Sequence, residues 1–404
     1  MSLLDLLSDA ETWRRFYEYK ASLCCPKDFS VYLSDFISAG SYLPVCEAIN
    51  AGQPFPLPKK TVISKMNSSK KRTVYTYPER ENTVLKLLTY LMLRRYDGLF
   101  TGGLYSFRPG KTAKDAVRRL TRIRGVSNMY SYKADIHNYF NSVPVDKFLP
   151  ALENAVSDDP RLFEFLSSLL TEPRVYDHGK EITEEKGIMA GTPLSAFYAN
   201  LYLNGLDRYF EEKGVPYARY SDDIILFAKT EEEARAHAEY IKSYLYSAGL
   251  TVNPDKESFS LPSDGWTFLG FYCNNGKIDI APATVTKLKG KMRRKTRALS
   301  RWRKRNGLSG EKAAAAFIRI FNRKLLESGD DNELTWSYWF FSVINTAESL
   351  HQIDLFAQDC VRYLISGKRT KSRYNVRYGD MKALGYKSLV HEYYAFSEEK
   401  DTSV

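Results

Sequence analysis

The chain has 404 residues, 44% hydrophobic and 26% charged, with a net charge of +11 that favours a polyanionic partner such as nucleic acid. No run of about 18 apolar residues exists to span a membrane, and acids interrupt the apolar N-terminus where a signal peptide would have none, so a cytoplasmic protein is expected. Five cysteines without CxxC spacing and five scattered histidines speak against a disulfide framework and against zinc; a metal here would be held by carboxylates.

Leu3, Leu4, Leu7 and Trp13 predict one face of a short amphipathic helix, part of an N-terminal helical segment over residues 1–55. The Pro-rich stretch "NAGQPFPLPKK" (50–60) ends that segment. "RTVYTYP" (72–78) alternates like a strand, and "ENTVLKLLTYLMLRRY" (81–96) has helical periodicity. A Gly-rich loop follows, then a helix at "AKDAVRRLTRI" (113–123). In "NMYSYKADI" (128–136), Tyr130, Tyr132, Ala134 and Ile136 face one way and Ser131, Lys133 and Asp135 the other. Helices are expected at 146–155, 161–170 and 193–212. "YARYSDDIILFAKT" (217–230) fits a strand, a tight turn and a strand, followed by a helix that Gly249 terminates. A hairpin is expected around Asn274-Asn275-Gly276. The mixture of helices and hairpins points to an α+β fold.

Beyond residue 284 the pattern is helical up to about the last 30 residues, which give no firm reading. "KLKGKMRRKTRALSRWRKR" (287–305) contains no acid. Val285, Leu288, Met292, Leu299 and Trp302 form its apolar stripe, leaving Lys287, Lys291, Arg294, Lys295 and Arg301 on a cationic remainder. Most charge runs are merely solvated, but one buried stripe with a wholly basic remainder suits a phosphate backbone, and a membrane surface would also accept it.

Asp222 and Asp223 sit between two apolar strands. Ordinary turn chemistry is the bland explanation. A third acid, Asp135, ends another apolar strand, and three carboxylates on neighbouring strand ends are costly unless a cation joins them. Oxygen ligands without His or Cys point to Mg²⁺ or Mn²⁺, and a pair of such ions is the apparatus of nucleotidyl transfer.

Tyr220-Ser221-Asp222-Asp223 resembles the YxDD box of reverse transcriptases. "GLYSFRPGKTAKDAV" (103–117) is similar to the finger segment of group II intron and retron-type members, and "ADIHNYFNSV" (134–143) to the first catalytic box. "AGTPLSAFYANLYL" (190–203), "AGLTVNPDKESF" (248–259) and "FLGF" (268–271) resemble the family's later boxes in the family's order. The resemblance implies a right-hand polymerase, with fingers and palm over 56–275 and a helical thumb and tail over 276–404. It implies two metal ions at Asp135, Asp222 and Asp223 with the backbone of Ile136. Its dNTP contacts would come from Lys71, Arg72, Phe140, Gly191 and Lys256. Phe140 would exclude a 2′-hydroxyl unless the register shifts to Tyr139. Lys256 would protonate departing pyrophosphate. Arg108 would order the finger loop or touch template phosphate, and the cations of 287–301 would hold the duplex.

Ala190 departs from the family, which has Gln there. The implied partners are an RNA template, a DNA or RNA primer and dNTPs. With no HNH-like cluster in view, a compact bacterial enzyme copying a dedicated noncoding RNA in antiphage defence is expected. An RNA-synthesising or untemplated polymerase, and a maturase-like RNA-binding protein, stand as alternatives.

Overall fold

The computed structural model describes residues 1–23, 27–64, 71–327 and 336–401. They form two compact units, the first built from Met1–Leu23 and Asp28–Ser263, the second from Asp264 onward. No helix among the described residues is long and apolar enough to cross a membrane. Cys46, Cys273 and Cys360 are free and buried; Cys24 and Cys25 lie outside the described residues.

At the N-terminus the expected single helix is split into a 3-10 turn at Asp5–Ser8 and a helix at Ala10–Ser22. Asp9 causes the break. Its backbone is extended, and its carboxylate accepts the Thr12 amide at 2.9 Å to cap the second helix. Trp13 and Phe16 then enter the core fully buried.

The strands in chain order are β1 (Lys59–Ser64), β2 (Lys71–Thr76), β3 (Tyr130–Asp135), β4 (Arg174–Asp177), β5 (Lys180–Thr183) and β6 (Tyr217–Tyr220). They continue as β7 (Asp223–Ala228), β8 (Ser258–Ser260), β9 (Trp266–Phe268), β10 (Phe271–Asn274) and β11 (Lys277–Ile280). In the first unit β2-β1-β4-β5 make one sheet and β6-β7-β3-β8 the other. The second of these sheets is antiparallel throughout. Ile224, Ile225, Leu226 and Phe227 are all fully buried, so β7 is covered on both faces. Helix Glu231–Ser247 packs on β3 and β7, inserting Ala234, Ala238, Ile241 and Leu245. The expected helix over 193–212 is two helices, Ser195–Tyr202 and Asn204–Glu212, with Leu203 leaving helical geometry between them.

In the second unit, β9, β10 and β11 form their own antiparallel sheet. The two compact units divide at Ser263/Asp264. Asn275 and Gly276, both at positive φ, turn β10 into β11 as the Asn-Gly pair requires. The basic segment is one helix, Pro282–Arg305, that buries Val285, Met292, Thr296 and Leu299. Trp302, expected on the apolar stripe, is instead 40% exposed. The ring lies within the last turn of the helix, which ends at Arg305.

Candidate active site

The hairpin of β6 and β7 is closed by the pair Tyr220–Asp223 across Ser221 and Asp222. Ser221 adopts a left-handed backbone (φ 60°) to make this turn. Asp135, the last residue of β3, pairs with Asp223, and the Ile136 amide donates to the Asp222 carbonyl at 3.1 Å. These backbone bonds bring the three carboxylates together, with one oxygen of each within 4.8 Å of the others.

Burial and repulsion act on the same groups. Asp135 is only 4% exposed and its two companions are half-buried. Burial, opposed by the Lys133 ammonium and reinforced by Asp222 and Asp135, pushes the Asp223 carboxyl up to about 6. Asp222 is also raised, by burial and then by the charge of Asp135. An all-oxygen cluster that resists its own ionisation fits a hard divalent cation, whose charge would remove the repulsion.

One cation already touches the cluster. Lys256, in the 3-10 turn Pro254–Lys256, places its Nζ 2.5 Å from Asp135 Oδ2. Burial works against its charge, but the bond to Asp135 prevails and the ammonium is held above its usual range. Asn253 completes this corner: its amide donates to the Asp135 carbonyl at 2.7 Å and its Nδ2 to Oδ1 at 3.3 Å. Sequence reading passed over Asn253, for which only the neighbouring Lys256 was a signal.

Lys71 and Arg72 are exposed and open β2. The Arg72 charge is close enough to pull Asp222 downward in part. Tyr139 is buried and spends its hydroxyl on the Ala199 carbonyl at 2.6 Å, whereas Phe140 is half-buried. Tyr139 is thus committed to the core, and Phe140 is the more exposed of the two rings.

Ala190 is 2% exposed and fixed at both ends of its peptide unit. Its amide donates to Asn141 Oδ1 at 3.0 Å, and its carbonyl accepts from the Tyr75 amide at 2.8 Å. Asn141 Nδ2 also donates to the Thr73 carbonyl at 3.0 Å. Asn141, another residue missed in the sequence, therefore ties the Ala190 loop to β2. Gly191 (φ 101°) lies so close to β2 that a Cβ there would stand 3.0 Å from the Tyr75 carbonyl oxygen. This close approach accounts for a glycine at the position.

Arg108 is engaged within its own neighbourhood of the chain. Its guanidinium grips Asp97 at 2.7 and 2.9 Å and the Thr101 carbonyl at 2.5 Å. With its side chain 6% exposed, little of it remains for a template phosphate. In the second unit, Lys287, Lys291, Arg294, Lys295 and Arg301 are all exposed on helix Pro282–Arg305.

A family model described as reverse transcriptase (RNA-dependent DNA polymerase) matches residues 57–273. The chain belongs to the reverse transcriptase family. Among curated proteins it is 25% identical over 155 residues to an uncharacterized 91 kDa protein in the cob intron of Schizosaccharomyces pombe. That match covers 38% of this chain and 19% of the fission yeast protein, so the chain spans about a fifth of that relative. Retron Ec86 reverse transcriptase of Escherichia coli is 24% identical over 236 residues, 57% of this chain and 68% of the relative. Apo telomerase from Candida tropicalis superposes with a TM-score of 0.48 at 12% identity, over 78% of this chain and 58% of that one. Telomerase from Candida albicans, in complex with a telomeric RNA fragment, gives 0.44 at 11% identity, over 88% and 71%. In this reverse transcriptase the carboxylate cluster lies within the matched region.

Proposed function

We propose that the protein is an RNA-directed DNA polymerase that extends a DNA or RNA primer on an RNA template with dNTPs. The observation that carries the reading is the convergence of Asp135, Asp222 and Asp223 at the tip of the antiparallel sheet, inside the family-matched region. These three side chains, with the backbone at Ile136, would hold Mg²⁺, or Mn²⁺ in its place. Bound there, such ions would supply activation of the primer hydroxyl and neutralisation of the charge on departing pyrophosphate.

The chain's own residues supply the rest. Lys256 carries the proton that leaving pyrophosphate needs, on a side chain already drawn to the cluster. Lys71 and Arg72 offer exposed cations to the triphosphate. Phe140 presents a ring beneath the sugar and excludes a 2′-hydroxyl. The cationic helix Pro282–Arg305 takes phosphates of the nucleic acid.

For the biological setting, we infer a cytoplasmic bacterial enzyme that copies a dedicated noncoding RNA in antiphage defence. The similarity to a retron reverse transcriptase of E. coli supports it. Primer extension by the purified protein on an RNA template with Mg²⁺, beside Asp222→Asn, tests the chemistry. DNA product that the variant fails to make is the expected result. Sequencing of new DNA in cells carrying either form, with and without phage challenge, tests the setting. DNA that is independent of Asp222 would remove both claims.

A further inference from the structure

One charged side chain lies wholly inside the sheet that carries the carboxylates. Arg219, in β6, is 0% exposed. Its Nε and Nη2 meet the Asp207 carboxylate at 2.7 and 2.5 Å, and the Tyr217 hydroxyl donates to the same group at 2.8 Å. The guanidinium then reaches three carbonyls: Asn200 at 3.0 Å, Ser221 at 3.2 Å and Ala199 at 3.4 Å. Its backbone is engaged as well. The amide donates to Gly103 at 2.9 Å, and the carbonyl accepts from Tyr105 at 3.0 Å.

A buried ion pair of this kind is weak evidence for stability, because apolar residues of similar volume commonly hold a core equally well. What apolar residues cannot reproduce is the set of directed bonds. Here those side-chain bonds tie the end of helix Ser195–Tyr202 and helix Asn204–Glu212 to one place, the carbonyl of Ser221, while the backbone of the same residue holds the finger segment at Gly103 and Tyr105. Ser221 is the left-handed residue of the catalytic turn, and such a residue persists only where its surroundings over-determine it. The next residue is Asp222.

We propose that Arg219 is a positioning residue: through Ser221 it sets where Asp222 stands relative to Asp135 and Asp223. The inference rests on the reading of these carboxylates as the metal centre. It adds that the geometry of the centre is fixed from beneath, by a group that touches neither metal nor substrate.

The test separates position from stability. In the full chain, Asp207→Leu/Tyr217→Phe/Arg219→Met removes the buried charges and the hydroxyl together. Arg219→Lys keeps a charge but cannot span the same acceptors. Thermal unfolding, Mn²⁺ binding to the protein alone by electron paramagnetic resonance, and kcat and KM for dNTP are then measured.

A positioning role predicts that the triple variant melts near wild type yet binds Mn²⁺ more weakly. Its kcat falls roughly a hundredfold, the scale of an ångström-level misplacement, with KM little changed. Arg219→Lys should shift in the same direction. A folded triple variant with wild-type Mn²⁺ affinity and kcat overturns the proposal. Should the triple variant not fold, wild-type Mn²⁺ affinity in Arg219→Lys overturns it instead. The Mn²⁺ measurement stands even if wild type extends no primer, which would count against the proposed polymerase activity and not against the strut.

Discussion

The Lys256 ammonium stands 2.5 Å from Asp135 Oδ2, on a carboxylate that would also serve as a metal ligand. A lysine and a divalent cation cannot share that oxygen without repulsion. A metal ion on that oxygen would therefore compete with Lys256, whose half-exposed side chain has room to swing away (53% exposed). Lys256→Met should bind Mn²⁺ several-fold more tightly than wild type, because a competitor is gone. It should also extend primers more slowly, by about a hundredfold if the ammonium acts as general acid. Tighter binding with undiminished kcat would leave Lys256 as a counter-ion only.

Lys186 presents the opposite case. It is 3% exposed and its Nζ has no hydrogen-bond partner among the described residues. Burial lowers its pKa to about 8, the charges of Glu172 and Glu184 recovering only part of the loss. Below about pH 8 both folded and unfolded chains keep the proton, and the full penalty of the buried charge is present. As pH rises from about 8 towards 10.5 the unfolded chain holds the proton longer, so stability from this group rises with pH. Lys186→Met should stabilise the protein by about 2 kcal/mol at pH 7 and by progressively less above pH 8. Denaturant unfolding of both proteins across pH 7–10 checks this. A constant difference across that range would mean the lysine is not the titrating group.

Gly187, next along the chain, lies against the Phe140 backbone. At φ 54°, its added Cβ would fall 2.5 Å from the Phe140 carbonyl oxygen and 2.8 Å from the Asn141 carbonyl carbon. Neither atom is the tip of a flexible side chain, so the backbone itself must move. Gly187→Ala should cost about 1–3 kcal/mol and disturb sugar selection through Phe140. A chemical denaturation midpoint equal to wild type would show that the loop gives way at no cost.

Much of this architecture was legible because the first unit's central sheet follows its own hydrophobic pattern. "DIILFA" between turn residues could only be a strand covered on both faces, and Asp135 at the end of an apolar strand implied a meeting point. The strands β1, β4 and β5 went unread for a physical reason. Mostly exposed, they carry polar and charged residues and show no apolar alternation. Their pairing is made by backbone bonds that a sequence does not display. Asn141 and Asn253 were missed similarly, since each acts through carbonyls and amides contributed by distant segments. Trp302 was misplaced because helical periodicity specifies a face without specifying where the partner ends.

With Tyr139 committed to the core, Phe140 is the ring available to meet a sugar. Phe140→Ala should admit NTPs, raising their incorporation relative to dNTPs on the order of 10–100-fold, while DNA synthesis continues. Single-nucleotide incorporation with matched dNTP and NTP measures this ratio. If the ratio does not move, sugar choice is made elsewhere, and the buried, side-chain-poor Ala190 makes the fingers cations Lys71 and Arg72 the next candidates.

The cationic helix gives a prediction that requires no catalysis. Lys287, Lys291, Arg294, Lys295 and Arg301 are exposed on a helix whose apolar stripe is already used for packing. Their substitution should leave the fold intact. Each phosphate contact releases counterions, and its loss flattens the log–log salt dependence of duplex binding by roughly 0.9 for B-form DNA. Replacing all five with Ala should therefore weaken binding to an RNA–DNA duplex and lower the slope by up to about 4 or 5. Fluorescence anisotropy between 50 and 300 mM salt would read the slope. A slope unchanged by the five substitutions would make this a solvated face after all, and would move the search for the nucleic-acid surface to other basic residues of the chain.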